Sequence, residues 1–145
     1  MKNALVALSA LAIASSANAY MFAPKHGAFA LNGTVEIDAN QICTMNAAGT
    51  THGERAIITA ITMSSQTYHF CNSMTPVHLP WKIEMSDDGQ PIIRHMRFYV
   101  PYLGYSHDRD QAASVDHKGN WTFIPSGEIQ LSGTVASTPP IDVKP

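Results

Sequence analysis

WKIEMSDDGQPIIRHMRFYV, residues 81–100, is the stretch that decides the fold class. Trp81, Ile83 and Met85 recur at period two with Lys82 and Glu84 between them, the signature of a strand with one buried face. Asp87-Asp88-Gly89 follows at once, and an Asp-Gly pair between two such runs predicts a hairpin, because glycine takes the positive φ that tight turns demand. The return strand over 92–100 places Ile92, Met96, Phe98 and Val100 on one face. Arg94 falls on that face too, which predicts a position near the end or edge of a sheet.

Outward from this hairpin the same grammar recurs. Residues 29–37 put Phe29, Leu31, Val35 and Ile37 on one face and Thr34 and Glu36 on the other. Residues 56–63, AIITAITM, are apolar on both faces and read as a central, doubly covered strand. A strand over 66–71 follows the Ser64-Ser65 turn. A second hairpin runs over 112–116, turns at 117–120 and returns over 121–124, and a last strand over 128–135 is stopped by Pro139-Pro140. Trp81 and Trp121 each begin an alternating strand and are assigned to the core. LNGTV at 31–35 and LSGTV at 131–135 are alike but too short to establish a duplication; both read as strands with similar demands. Long helical periodicity is not found after residue 20. About eight short strands bounded by turn residues predict an all-β fold, a single disulfide-stapled β-sandwich of immunoglobulin-like or jelly-roll type.

The flanks divide the chain further. Lys2, the apolar run 4–14 and Ala17-Asn18-Ala19 have the three-part form of a secretion signal cleaved after residue 19. That run is too short to span a bilayer core of roughly 30 Å, and no later stretch predicts a transmembrane helix. The expected layout is a signal peptide over 1–19, an extended segment over 20–28, the β domain over 29–137 and a tail over 138–145. Nine basic and eleven acidic side chains leave a mild negative charge, which offers nothing to nucleic acid or an anionic membrane.

Cys43 and Cys71 are the only cysteines. An oxidising compartment outside the cytoplasm favours pairing them. A metal pair or two free thiols are the alternatives, against which stand the absence of CxxC spacing and of a neighbouring histidine cluster. The seven histidines, His26, His52, His69, His78, His95, His107 and His117, are scattered without H-x-H or HExxH. His107, Asp108 and Asp110 form the one local set of potential ligands and read as a polar loop, so neither a metal site nor a cofactor is expected.

No G-x-S-x-G elbow is present, and Glu36, Glu54, Glu84 and Glu128 sit mostly on solvent faces rather than as a carboxylate pair across a cleft. A non-enzymatic protein is therefore expected. Aromatic residues concentrate at 98–105, FYVPYLGY, where Tyr99, Tyr102, Leu103 and Tyr105 make a candidate apolar contact surface.

Cys43-Thr44, ITAIT at 58–62, Cys71, Leu79-Pro80-Trp81, Val100-Pro101 with Leu103-Gly104, and Ser132-Gly133-Thr134-Val135 with Ser137-Thr138-Pro139 follow one another in a distinctive order. In that order and spacing the chain resembles the bacterial activators of alkane oxidation, the Pra-type family, over nearly all of residues 20–145. The resemblance implies an exported protein of hydrocarbon-degrading or biofilm-forming bacteria, without assigned catalytic residues. It departs from the family pattern in one respect: Tyr105 follows Gly104 where members often carry a further cysteine. The partners implied are alkanes or the cell surface, through an apolar patch near Tyr99 to Tyr105. A rival reading is a surface-fibre or biofilm-matrix subunit that self-associates by donating residues 20–28 as a strand to a second copy.

Overall fold

The computed structural model describes residues 20–38, 40–101, 105–127 and 130–145, with the side chains of 105–108 outside the description. In chain order the elements are β1 (Met21–Ala23), β2 (His26–Ile37), β3 (Gln41–His52), β4 (Arg55–Ser64), α1 (His69–Ser73), β5 (Thr75–Pro76), β6 (Trp81–Met85), β7 (Pro91–Val100), β8 (Tyr105–Val115), β9 (Asn120–Phe123), β10 (Leu131–Thr138) and β11 (Asp142–Lys144). The signal read over 1–19 lies outside the described residues.

All pairings are antiparallel, and each wall strand neighbours the next in sequence: β2, β3, β4, β6, β7, β8, β9 and β10. The last strand, β10, then pairs with the first, β2, over eight positions from Leu131↔Ile37 to Thr138↔Ala30. The sheet is thus a closed eight-strand up-and-down barrel, and the expected two-sheet sandwich is not what forms. Alternating strands bury one face in either architecture, so the pattern along the chain is the same. What separates them is the β2–β10 seam.

The seam joins the two similar pentapeptides. Gly133 pairs with Val35, Thr134 with Thr34 and Val135 with Gly33, so the segments meet about a local two-fold centred on the threonines. A Cβ on Gly33 would sit 2.8 Å from the Thr134 carbonyl oxygen and 2.9 Å from Val135 Cα. One on Gly133, where φ is +117°, would sit 2.8 Å from the Thr34 carbonyl oxygen and 3.0 Å from Val35 Cα. Each glycine faces backbone that cannot move aside, which is how glycine permits a tight bend at a barrel corner.

The barrel is filled by its own side chains. Phe22 and Phe29 stack on Trp121 at ring-centroid distances of 6.2 and 6.3 Å, and Trp81 meets Phe98 edge to face at 5.3 Å. Leu31, Val35, Met45, Ile58, Ile83, Leu131 and Val135 complete the interior. Thr34, Thr44, Asn46, Thr62, Lys82, Ser114, Thr122 and Thr134 face outward, the reverse of the apolar-out wall of a membrane-spanning barrel. Among the described residues no helix is long and apolar enough to cross a membrane.

Two bulges correct the facing of two strands. In β4, Ala48↔Ala60 is followed by Gly49↔Ile58, leaving Thr59 as an extra residue. Ala56 and Ile58 point inward before it, and Ile61 and Met63 after it. The doubly apolar run is therefore one inward face that changes phase, not a strand covered on both sides. In β7, Arg94 and His95 together oppose Asp110. This turns Ile93 inward in place of Ile92 and lets Arg94 face out. Asp110 closes the bulge, accepting the His95 backbone N–H at 3.0 Å and the Arg94 guanidinium at 2.9 Å.

The barrel ends differ. At one, residues 20–28 and 138–145 are drawn together: β1 pairs with β11, Phe22 and Ile141 are buried, and the Phe22 N–H donates to the Gly53 carbonyl at 2.9 Å. At the other lies α1. The strand expected over 66–71 gives way to this helix because local side chains take over the backbone bonds. Ser65 Oγ accepts the N–H groups of Thr67 and Tyr68, while Asn72 both accepts from the Ser65 N–H and donates to its carbonyl.

Substituting Gly133→Ala places a Cβ against backbone in a left-handed conformation, and urea unfolding is expected to show a loss of about 2 kcal/mol or more. The Asp110 carboxyl is pushed up by burial, but the His95 N–H and the Arg94 guanidinium outweigh this and hold it below the ordinary carboxylate value. Its contribution is present above the unfolded-state pKa of about 4 and is lost as pH falls through the lower native value. The stability gap between wild type and Asp110→Asn is therefore expected to be widest at neutral pH and to vanish on acidification, in unfolding curves collected across that range.

Candidate functional site

The end of the barrel carrying α1 collects the chain's unusual apolar features. Cys43 in β3 is joined to Cys71 in α1 as a disulfide, with Cα atoms 5.6 Å apart and both residues fully buried. The bond points to an oxidising compartment. It fastens an otherwise short helix across the barrel end. A helix of this length has little intrinsic stability, so the covalent tie and its packing hold it there.

Beneath α1 is a small cavity of about 30 Å³. Phe70 and Met74 reach it from the α1 side, Met63, Met96 and Phe98 from the wall strands, and Arg109 brings its one charge. Methionine side chains are unbranched and polarisable, so such a lining adapts to the shape of an apolar guest. Burial pushes the Arg109 guanidinium down from its ordinary value, with Asp38 opposing, and its Nη1 donates to the Ser126 carbonyl.

Around this end stand the exposed large apolar residues of the described chain. Ile42 is 47% exposed beside Cys43, Tyr99 is 45% exposed, and Ile124 is 37% exposed. Tyr99 pairs with Thr75, just after α1. Ile124 follows β9, and its carbonyl accepts from the buried Gln111 amide at 2.9 Å. Ile42 and Tyr99 thus both neighbour the α1–β5 segment although they are far apart in sequence.

Of the contact residues read from the sequence, Tyr99 faces outward opposite Thr75. Tyr102 and Leu103 lie outside the described residues. The Tyr105 backbone pairs with Val100, and its side chain is outside the description. Sequence reasoning missed Ile42, Ile124, Phe70 and the three methionines. The signal available for them was weak: Ile42 and Met63 sit near strand ends, Phe70 and Met74 in or just after α1, Ile124 just after β9, and Met96 reads as one more inward residue of β7. Among the described residues no group of three or more His, Cys, Asp and Glu could hold a metal, and Asp110 is engaged by Arg94 and His95.

Replacing both cysteines, Cys43→Ala with Cys71→Ala, frees α1 and reopens a loop of 28 residues. The expected cost is about 3.5 kcal/mol on the chain-entropy account, read from urea unfolding of the oxidised wild type against the double variant.

Comparison with protein families matches residues 1–145 to the family described as alkane oxidation protein activator PraA/PraB-like. No curated protein and no solved structure matches this chain. Because the match runs over the whole length, the chain belongs to the PraA/PraB-like alkane oxidation protein activator family.

Proposed function

We propose that this chain is an exported, non-enzymatic protein that aids bacterial growth on hydrocarbons by direct apolar contact, made with the α1 end of the barrel. The observation that carries this reading is the methionine-lined cavity beneath α1, at the barrel end where Ile42, whose carbonyl lies against Cys71, and Tyr99, which pairs with Thr75, are exposed. Long alkanes are nearly insoluble, and each CH₂ removed from water is worth roughly 0.8 kcal/mol. An apolar barrel end that touches a droplet or an alkyl chain draws on that energy without chemistry. The family description and the disulfide support the same reading.

Intrachain pairing of the N-terminal segment weighs against the fibre alternative. Residues 21–23 pair within the chain to β11 and residues 26–28 continue into β2, while Phe22 is buried against Trp121. Strand donation to a second copy would have to break these contacts.

Purified protein is expected to lower the hexadecane–water interfacial tension. The double variant Ile42→Ser with Tyr99→Ser, exposed positions that leave the core intact, should need roughly tenfold more protein for the same effect, given two apolar anchors lost. Deleting the gene should slow growth on hexadecane and not on succinate. Unchanged tension with the wild-type protein, or equal growth on both carbon sources, would defeat the proposal.

A further inference from the structure

One stretch of the barrel wall is held by packing rather than by a ladder. β4 and β7 have ten residues each, but β6, which lies between them, has five. It pairs with β4 only from Arg55↔Glu84 to Ile58↔Trp81 and with β7 only from Met85↔Pro91 to Ile83↔Ile93. Beyond Trp81, toward the α1 end, the α1–β5 segment takes its place. That segment is bonded to β7 through Thr75↔Tyr99, Pro76↔Phe98 and the Val77 N–H, which donates to the Arg97 carbonyl at 2.9 Å. Among the described residues no strand pairing or backbone hydrogen bond joins α1 or β5 to residues 59–64 of β4. Neighbouring strands lie about 4.8 Å apart, so the slot left between β4 and β7 is about one strand wide.

Behind this seam lies the methionine cavity. Met63 of β4 and Met96 and Phe98 of β7 wall it from the two sides of the slot, and Phe70 and Met74 cover it from the α1 side. Both covering side chains are only partly buried, and they ride on or beside a helix of five residues with little stability of its own. At about 30 Å³ the closed cavity admits little more than a methyl-sized group. A larger guest has to take the space that Phe70 and Met74 fill. Moving them breaks no ladder with β4, and the disulfide to Cys43 keeps the displaced helix tethered. Arg109, the one charge in the lining, already donates to the Ser126 carbonyl, so what the lining presents to a guest is carbon and sulfur.

We propose that the α1–β5 segment is a side gate, which swings away from β4 and admits one unbranched alkyl chain, end first, into the barrel interior. The gate deepens the apolar-contact reading and takes from it the hydrocarbon as guest. A slot one strand wide fits a single extended chain and excludes fused rings. Methionines on both walls and on the cover adapt to the chain's shape. Eight-strand barrels have an interior that side chains can fill or that can hold one small ligand, and a movable cover lets this one do both.

The test is NMR of the purified protein with isotope-labelled methionine methyl groups, titrated with n-octane supplied as vapour. Saturable shifts at Met63, Met74 and Met96, with Met21 and Met85 at the opposite end silent, support entry. Thr75→Cys with Tyr99→Cys, oxidised, ties β5 to β7 at a paired position. It should slow octane exchange at these methyls roughly tenfold relative to Thr75→Ser with Tyr99→Ser. Val77→Pro removes the N–H bonded to Arg97 and should speed it. No saturable methyl shift in the wild-type protein, or an exchange rate that neither variant changes, would overturn the gate. Lowered interfacial tension without methyl shifts would overturn it and leave surface contact standing, whereas methyl shifts without lowered tension would defeat surface contact and support the gate.

Discussion

The pairing of β10 with β2 is the contact on which the rest of the structure depends. It turns a meander of hairpins into a cylinder, removes both sheet edges, and encloses an interior that open strands would leave wet. Gly33 and Gly133 make it possible, each presenting no side chain where the opposite backbone comes within about 3 Å of an ideal Cβ. Thr122 and Thr134 hydrogen-bond at 2.9 Å on the outside of the neighbouring β9–β10 pair. The likeness of the two pentapeptides has a local cause: two strands meeting about a two-fold face the same steric demand.

Closure leaves the barrel with two ends to seal, and the chain uses different means. The termini do it at one end, with Phe22 and Ile141 inserted as plugs and Asp142 accepting from His117 at 2.9 Å. At the other, a helix too short to stand alone is tied to β3 by the disulfide. The α1 end is thus the methionine-rich one, with Met63, Met74 and Met96 around its small cavity. Thr34, Thr44, Asn46, Thr62 and Thr122 face outward along the wall, while the methionine-lined cavity lies at the α1 end.

Bulges explain how a sequence with imperfect alternation still builds a clean interior. Thr59 in β4 and Arg94–His95 in β7 each add one residue to a strand, and the faces exchange at that point. Without the second bulge Arg94 would enter the core, at a desolvation cost that few local contacts offset.

Much was legible along the chain because it depends on neighbours in sequence. The Asp87-Asp88-Gly89 turn, the turn before Trp121, the inward tryptophans and the Cys43–Cys71 pair follow from local alternation, turn chemistry and cysteine count. The Pra-type resemblance was legible in the same way, from short motifs in order. Long-range partners were not. Residues 131–138 could continue a sandwich sheet or return to β2, and the pairing from Leu131↔Ile37 to Thr138↔Ala30 is visible only in the folded chain. That Ile42 and Tyr99 both neighbour the α1–β5 segment follows only once β3 and β7 are placed in the barrel. Sequence determined which residues seek the interior, since burial is a property of each side chain; tertiary structure decided which strands share an edge, since hydrogen-bond pairing belongs to two segments at once.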